Sequence, residues 1–410
     1  MGLQLELCEN TFFKNLQLPT MEFSFSALET VITNEEVAEA LPRVLERLNA
    51  KRILLMASSN LSEITQQFSD LRNSIGNRQV DLFDSIGTHS PRGDVLQALE
   101  FARDFDPDLL VSLGGGSIID ATKAVQLGID QGITNQNQML SYAKMADGSC
   151  GPRWGDVKCF TKQTKIRQIA VPTTLSGAEF SNNAGILDSK NFTKEGYWGP
   201  RLCPQAIIYD PFLSVKTPEW LWLSTAIRSL DHAIEGFCSA NTSPYLDAHF
   251  LKAIELFASS LPIVKSETAN INARSLNQQA VWLACCGLGK VSHGASHGIG
   301  YILGSYCGVP HGYTSCVMLP AVLDWNKMEF EHQQAPIVKA MGQTKISAGR
   351  AVRCLVESLG LPSTLQQVGV KEEQLDEIAA RAIKHPVVRS NPRSLETKEQ
   401  VLEILNLAWN

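Results

Sequence analysis

Three of the eight histidines lie close together in the sequence, between Val291 and Tyr313. His293 and His297 have the i, i+4 spacing that places two side chains on one face of a helix. His311 follows after a glycine-rich segment, in a Pro-His-Gly turn. The intervening residues are small and apolar, so we expect a buried helix that a ligand can approach closely. Such histidines indicate a metal site or a proton-transfer site, and core histidines without a ligand are the alternative.

A fourth histidine, His232, lies in a second predicted helix, one turn after Arg228. A guanidinium stays charged and offers only hydrogen-bond donors, so it is never a metal ligand. We expect the repulsion energy between Arg228 and a nearby cation to be on the order of several kcal/mol, at an effective dielectric constant of about 20. Its two parallel donors suit a carboxylate. An ordinary ion pair with Asp231 is the alternative interpretation of Arg228, and Glu235 is a weaker candidate metal ligand than the histidines.

A glycine run follows a predicted strand and opens a predicted helix. In this arrangement the glycines let the backbone approach a pyrophosphate, and the free N–H groups of the helix start point at its charge. The motif is GGGS and not the usual GxGxxG, and a plain glycine turn is the alternative. The candidate cofactor contacts are Gly114, Gly115, Gly116, Ser117 and Asp120. Asp120 could instead form a surface pair with Lys123.

Two further strand ends carry hydroxyl groups. Thr173 and Thr174 follow one predicted strand and could contact a ribose or a phosphate, or simply cap a turn. Ser58 follows the strand that ends at Met56, in the run Ala57-Ser-Ser-Asn60, where an acidic residue would bind the adenosine ribose. Since no carboxylate stands there, we expect that a 2′-phosphate can be accommodated.

The predicted elements that position these residues divide the chain into two halves. Strands alternate with helices in the first half, which predicts a mostly parallel sheet, and only helices follow Asp210. We therefore predict an α/β dinucleotide-binding domain over residues 1–210, an all-α domain over 211–410 and a cleft between them. The predicted strands are 51–56, 80–83, 108–113, 166–171 and 206–209, and the helices are 34–49, 94–105, 118–127, 217–240, 243–261, 270–291, 333–341, 345–359, 371–382 and 397–407.

The composition limits the classes of function. A net charge of -6 without a basic block argues against a nucleic-acid-binding protein. No apolar run is long enough to cross a membrane, and the first residues lack the pattern of a signal peptide. Ten cysteines without a CxxC pair are typical of reduced thiols, so we expect a cytoplasmic protein. The predicted cleft would hold a small-molecule substrate.

Five motifs follow one another along the chain: Gly114–Lys123, Pro172–Thr174, Asp231–Glu235, the His293/His297 pair and Pro310–Gly312. In this order they resemble the iron-containing alcohol dehydrogenase family, and the resemblance runs nearly from end to end of the chain. The TLSGAE, LPSTL and NPR segments are most similar to the maleylacetate reductase branch.

This resemblance implies a fold like that of dehydroquinate synthase, NAD(H) or NADP(H) as the cofactor, and a homodimer. It implies that Lys194 contacts the cofactor, that His232, His293 and His311 are metal ligands, and that His297 lies near the nicotinamide. Metal-binding members place an aspartate where this chain has Arg228. Maleylacetate reductases also lack that aspartate, so we expect the divalent metal, iron or zinc, to be lost. The segment between His297 and His311 is longer than in typical members.

These expectations favour reduction of a carbonyl compound that bears an anionic group. Without a metal, Arg228 together with His232, His293 or His311 would stabilise charge on the carbonyl oxygen, and His297 would deliver the proton. One alternative is a metal-dependent alcohol dehydrogenase whose cation is held by three histidines. Another is a non-redox lyase or cyclase on the same fold.

Overall fold

The structure, a computed structural model, describes residues 23–58, 65–145, 148–160, 166–191 and 193–410. Residues 1–22, in which no signal peptide is predicted, lie outside these ranges, as do Ser59 and Asn60. The strands are β1 Thr30–Thr33, β2 Arg52–Ala57, β3 Gln79–Phe83, β4 Leu109–Gly114, β5 Ala143–Lys144, β6 Arg167–Pro172, β7 Asn183–Asp188, β8 Thr193–Trp198 and β9 Ala206–Tyr209.

Five α-helices belong to the first half and ten to the second, counted over the described ranges. Those of the first half are α1 Val37–Arg47, α2 Thr65–Ser74, α3 Arg92–Phe105, α4 Gly116–Gln131 and α5 Gln136–Leu140. Those of the second half are α6 Pro211–Ser214, α7 Glu219–Phe237, α8 Pro244–Ser266, α9 Ile271–Cys285, α10 Ala295–Cys307, α11 His311–Ala340, α12 Ala348–Ser358, α13 Leu375–Ala382, α14 Pro386–Arg389 and α15 Lys398–Leu407.

Six strands form a parallel sheet in the order β1-β9-β6-β4-β2-β3. β4 and β6 are buried along their whole length, as expected for parallel strands that are covered on both faces. The register pairs Ala57 with Leu113 and Gly114 with Pro172, so β2, β4 and β6 end side by side. The chain order changes direction between β2 and β4, and ligands of such sheets bind beyond the strand ends at this point.

A second sheet, β5-β8-β7, is antiparallel and was not predicted. Its strands lack a continuous apolar run, because buried and accessible residues alternate along them. Gly185 pairs with Gly196, which also pairs with Lys144, so these three residues share one face. Lys194 lies on the same face, where its side chain occupies the space that a Cβ at position 185 would need. This face therefore presents two lysines.

Helix α7 is the centre of the helical half. Every residue from Trp222 to Gly236 is buried, and α8, α9 and α11 pack around it. An amphipathic surface helix would show a polar stripe, whereas α7 is apolar around most of its circumference. Its polar residues are therefore buried and must find partners inside the protein.

Two local predictions in this half were wrong. His293 is not helical, because α10 begins at Ala295 and only His297 lies within it. His311 does not lie in a turn, since it starts α11; a kink at Phe330 divides α11, and its second part matches the predicted helix 333–341. Pro310 is the N-cap of α11, and Gly312 allows the helix to approach α7, because a Cβ there would lie 2.5 Å from Ser224 Oγ.

The predicted fold class, an α/β half followed by a helical half, is confirmed. The domain boundary after residue 210 and the homodimer stay predictions. Within the described ranges, no helix is long and apolar enough to span a membrane.

Candidate active site

Three histidine rings meet at the start of α10. The Nε2 atom of His297 lies 2.8 Å from Nδ1 of His232, and Nε2 of His293 lies 3.1 Å from the same Nδ1. His297 is fully buried, His232 is 8% exposed, and His293 keeps some accessible surface. The convergent rings are therefore those of His232, His293 and His297, from two helices and a loop, and not the expected ligand set of His232, His293 and His311.

Glu235 holds this arrangement together. Its carboxylate accepts hydrogen bonds from the backbone N–H groups of Gly294 at 2.8 Å, Ser296 at 2.8 Å and His297 at 3.3 Å, and from Nδ1 of His297 at 2.7 Å. These backbone groups belong to the N-terminus of α10, where a helix leaves its N–H groups unpaired and favours negative charge. Glu235 therefore caps α10 and also orients His297. The sequence suggested Glu235 only as a weak metal ligand.

A second buried carboxylate, Asp231, links the histidines to Arg228. Its Oδ2 accepts from Ser296 Oγ at 2.7 Å and from Ser315 Oγ at 2.6 Å, and it lies 3.4 Å from Nδ1 of His297. Arg228 Nη1 donates to Ser315 Oγ at 3.1 Å and lies 3.8 Å from Asp231 Oδ2. The alternative interpretation of Arg228, an ion pair with Asp231, is thus part of the structure, but it engages only one of the guanidinium nitrogens.

The charges separate the protonation of the three rings. Burial and Arg228 oppose a proton on His297, but Asp231 and Glu235 outweigh them and raise its pKa. Burial, together with repulsion from His297, lowers the pKa of His232 and of His293 well below the usual value. A proton shared by the three rings therefore resides on His297, whose Nε2–H would donate to His232.

His311 lies apart from the three convergent rings. It stacks on Tyr301 with 6.0 Å between ring centroids and 16° between planes. The centroid of the Tyr301 ring lies 5.4 Å from that of His385. It also lies 5.5 Å from Cζ of the Arg228 guanidinium, which stands over the ring. Burial and the nearby Arg228 lower the pKa of His311 well below its ordinary value. Sequence reasoning missed Tyr301 and His385, and neither belongs to a motif.

The described residues do not fit a divalent metal. The groups of metal-ligating side chains that converge are His232, His293 and His297, or Asp231, Glu235 and His297, among the described residues. Two nitrogens on one tetrahedral zinc lie roughly 3.3 Å apart, given bonds of about 2.0–2.1 Å. The observed 2.8 and 3.1 Å are hydrogen-bond distances. Both carboxylates already accept hydrogen bonds, except at Oδ1 of Asp231, and the guanidinium of Arg228 lies 3.8 Å from Oδ2 of Asp231.

The predicted phosphate loop lies at the end of β4. Gly115 is the N-cap of α4, with Thr174 against it, so a Cβ at 115 would lie 3.0 Å from Thr174 Cγ2. A Cβ at Gly116 would lie 2.8 Å from Ser176 Oγ. The glycines therefore leave backbone exposed at the start of a helix of 16 residues, which fits a pyrophosphate.

The neighbouring candidates have different surroundings. Ser58 N–H donates to Leu113 O at 3.3 Å, which places Ser58 beside the glycines, as predicted. Thr173 is held by Thr217, which donates to its carbonyl at 2.6 Å. Asp120 accepts from Gly185 N–H at 2.9 Å, and Lys123 is completely buried. The pair is therefore no surface pair: it joins α4 to the second sheet.

Lys194 and His89 lie on the same side as this loop. The Lys194 side chain is exposed, yet the surrounding protein lowers its pKa by desolvation, an effect that Asp120 opposes and Arg228 reinforces. His89 has a left-handed backbone, φ 64°, and its N–H donates to Ser117 Oγ at 3.0 Å. Burial and the charge of Lys194 lower the pKa of His89. Sequence reasoning missed His89, whose only signal was its position after a strand.

Comparisons with known proteins agree with this architecture. The sequence profile "Iron-containing alcohol dehydrogenase" matches residues 29–211, and "Fe-containing alcohol dehydrogenase family, C-terminal" matches residues 222–409. Dehydrogenase ALT3 of Alternaria alternata is 32% identical over 392 residues, with 87% of this chain and 98% of the relative covered. The chain belongs to the iron-containing alcohol dehydrogenase family.

Two further relatives of this dehydrogenase agree with the branch suggested by the sequence. Maleylacetate reductase 1 of Rhodococcus opacus is 27% identical over 366 residues, covering 89% of this chain and 90% of the relative. The crystal structure of maleylacetate reductase from Agrobacterium tumefaciens superposes with a TM-score of 0.78, at 23% identity, over 95% of this chain and 99% of that one, which supports the fold. The chain is thus an oxidoreductase of alcohols or carbonyl compounds.

Proposed function

We propose that this dehydrogenase reduces a carbonyl compound bearing an anionic group, with NADH or NADPH and without a metal. The observation that carries the proposal is the state of Arg228. Arg228 is 3% exposed. Its Nη1 donates to Ser315 Oγ, whereas Nε and Nη2 have no acceptor among the described residues. Neither of these two nitrogens is among the fully buried polar atoms without a partner, so both reach accessible space, where the guanidinium can bind an anion through two parallel N–H groups.

The charge of the cleft supports the same conclusion. Lys194 and Lys144 share one face of the second sheet, and neither forms an ion pair with a described carboxylate. Lys144 helps burial to lower the pKa of His385, so its charge reaches the helical side of the cleft. The whole chain carries a net charge of -6, so this local excess of positive charge attracts an anionic ligand into the cleft. The relative from Rhodococcus opacus is also named for a carboxylate substrate.

The cofactor would lie along the first half of the cleft. Gly114, Gly115, Gly116 and Ser117 would hold its pyrophosphate, with Ser58, Thr174 and Lys194 beside them. No acidic residue is among the described residues directly after β2, so both NADH and NADPH are candidates. When bound, the nicotinamide supplies the hydride.

The helical half would supply charge and a proton. Arg228 would hold the anionic group and so orient the carbonyl. His297 would deliver a proton towards the reacting oxygen through His232 or directly, because its Nε2–H points to His232 Nδ1 at 2.8 Å. Glu235 keeps Nδ1 of His297 protonated by accepting from it. These assignments of protons follow from the hydrogen-bond network.

Replacement of Arg228 tests the proposal. The activity of wild type and of Arg228→Met is measured with NADH and with NADPH on two four-carbon aldehydes: 4-oxobutanoate, which carries a carboxylate, and butanal, which carries a methyl group in its place. We expect the wild type to prefer the anion, and Arg228→Met to lose about 2–5 kcal/mol of this preference, which corresponds to roughly 30-fold or more in kcat/KM.

Two outcomes would contradict the proposal. One is a wild-type enzyme that reduces both compounds equally well. The other is a failure to bind a nicotinamide cofactor in a fluorescence titration, with Gly115→Asp as the matched variant that should abolish binding. The latter change places a side chain and a negative charge against Thr174, at the pyrophosphate position.

A further inference from the structure

We propose that Tyr301 is a positioning residue: its ring holds the guanidinium of Arg228 and thereby sets the preference of the enzyme for anionic carbonyl compounds. The inference rests on the proposed function. Tyr301 lies on α10, outside every motif, one turn after His297. It is half-buried, on the side of α10 that faces Arg228 and His311.

Hydrogen bonding fixes the guanidinium of Arg228 at one nitrogen only. Nη1 donates to Ser315 Oγ at 3.1 Å, and Ser315 Oγ donates in turn to Asp231 Oδ2 at 2.6 Å. The remaining N–H groups of Arg228 have no acceptor within the described ranges. An arginine side chain with one anchored nitrogen can still rotate about that bond, so a second contact is needed to fix the plane of the guanidinium.

Tyr301 provides this second contact. The guanidinium carbon lies 5.5 Å from the centroid of the Tyr301 ring, within the range of a cation–π interaction. Gly300 allows α10 to approach closely, because a Cβ there would lie 3.0 Å from Thr314 Oγ1 and 3.8 Å from Arg228 Nη1. The ring and the hydrogen bond to Ser315 therefore hold the same group by two different means.

The ring of Tyr301 is itself held in place. His311 stacks on it at 6.0 Å and 16°, and His385 lies at 5.4 Å and 48°. His385 is fixed by its own backbone contact, since its Nδ1 accepts from Val387 N–H at 3.3 Å. The tyrosine hydroxyl donates to no acceptor among the described residues. The ring, and not the hydroxyl, is therefore the part that positions Arg228.

Tyr306 is a matched control on the same helix. It lies five residues further along α10, is 37% exposed, and stacks on the guanidinium of Arg381 at 4.3 Å. Tyr306→Ala thus removes the same ring and the same type of interaction from α10, but away from Arg228. Tyr301→Phe keeps the ring and removes the hydroxyl.

The experiment measures kcat/KM for 4-oxobutanoate and for butanal in wild type, Tyr301→Ala, Tyr301→Phe, Tyr306→Ala and Arg228→Met. We expect the ratio of the two values to fall by about 5- to 30-fold in Tyr301→Ala, through a higher KM for the anion. The value for butanal and the KM for the cofactor should stay unchanged. Tyr301→Phe and Tyr306→Ala should keep the wild-type ratio.

The outcomes separate this inference from the proposed function. If the wild type prefers the anion and Arg228→Met loses this preference, but Tyr301→Ala retains it, the inference about Tyr301 is refuted and the proposed function stands. An equal loss on both compounds in Tyr301→Ala would show a merely structural role and would also refute it. If the wild type has no preference, both proposals fail.

Discussion

The cap that Glu235 forms on α10 gives the sharpest prediction for stability. Glu235→Gln keeps the shape of the side chain but replaces one acceptor oxygen by an amide group that can only donate. The carboxylate accepts four N–H groups, three of them from the backbone between Gly294 and His297. The remaining oxygen cannot accept from all four donors, so at least one buried donor loses its acceptor.

The magnitude follows from these contacts. A buried donor without an acceptor costs about 1–3 kcal/mol, and the loss of a negative charge at a helix N-terminus costs about 0.3–1 kcal/mol, or up to about 2 kcal/mol when it is partly buried. Glu235 is 6% exposed. We therefore expect Glu235→Gln to lower the free energy of unfolding by about 3–5 kcal/mol.

The assay is urea-induced unfolding, with the shift in midpoint converted by a common m value. Glu255→Gln on α8 is the control, because Glu255 forms only an exposed pair with Lys252 and should change stability by less than about 0.5 kcal/mol. A loss below about 1 kcal/mol in Glu235→Gln would refute the reasoning, since it would mean that the backbone of α10 does not depend on this carboxylate.

Three further predictions concern protons and metal. His297→Ala should lower turnover by roughly 10²-fold or more while the affinity for the cofactor, measured by fluorescence, stays the same; unchanged turnover would make His297 a structural residue. Purified wild type should contain no stoichiometric iron or zinc, and chelators should leave its activity intact. Arg228→Asp should bind metal more tightly than wild type, because it replaces a repelling cation with a carboxylate. One tightly held metal per wild-type chain in elemental analysis would contradict this prediction. Burial raises the pKa of Glu179 from 4.5 to about 7, despite a 2.5 Å hydrogen bond from Tyr209. Between these pH values the folded state holds a proton that the unfolded state has lost. The free energy of unfolding therefore falls as pH rises from about 4.5 to 7. Glu179→Gln should therefore be more stable than wild type by about 3 kcal/mol at pH 8 and by little at pH 4.5, and equal gains in urea unfolding at both pH values would rule out this cause.

The cofactor half was largely predictable from the sequence, because its signals are local. A buried parallel strand is a short apolar run, and the glycines that follow β4 announce both the turn and the start of α4. The neighbouring positions of Ser58 and Thr174 also follow, since parallel strands end at the same edge of a sheet. The second sheet was missed because short strands with alternating buried and accessible residues give only a weak sequence pattern. The position of Lys144 on that sheet was therefore not predicted either.

The histidine site was predictable in its members but not in its geometry. Spacing alone placed His293 and His297 on one helical face, yet the carboxylate of Glu235, on another helix, caps α10 after Gly294 and leaves His293 in the loop. Spacing offered the pair of Arg228 and Asp231 as an alternative, but it could not show that both contact Ser315 of α11.

The sequence by itself determined the two-part fold, the phosphate loop and the identity of the unusual arginine, because each depends on neighbours within one turn or one strand. Only the tertiary structure decided which nitrogens converge, that His311 lies with Tyr301 and His385, and that Arg228 keeps unused donors. These facts depend on how α7, α10, α11 and α14 pack, and contacts between residues tens of positions apart leave no periodic pattern in a single sequence.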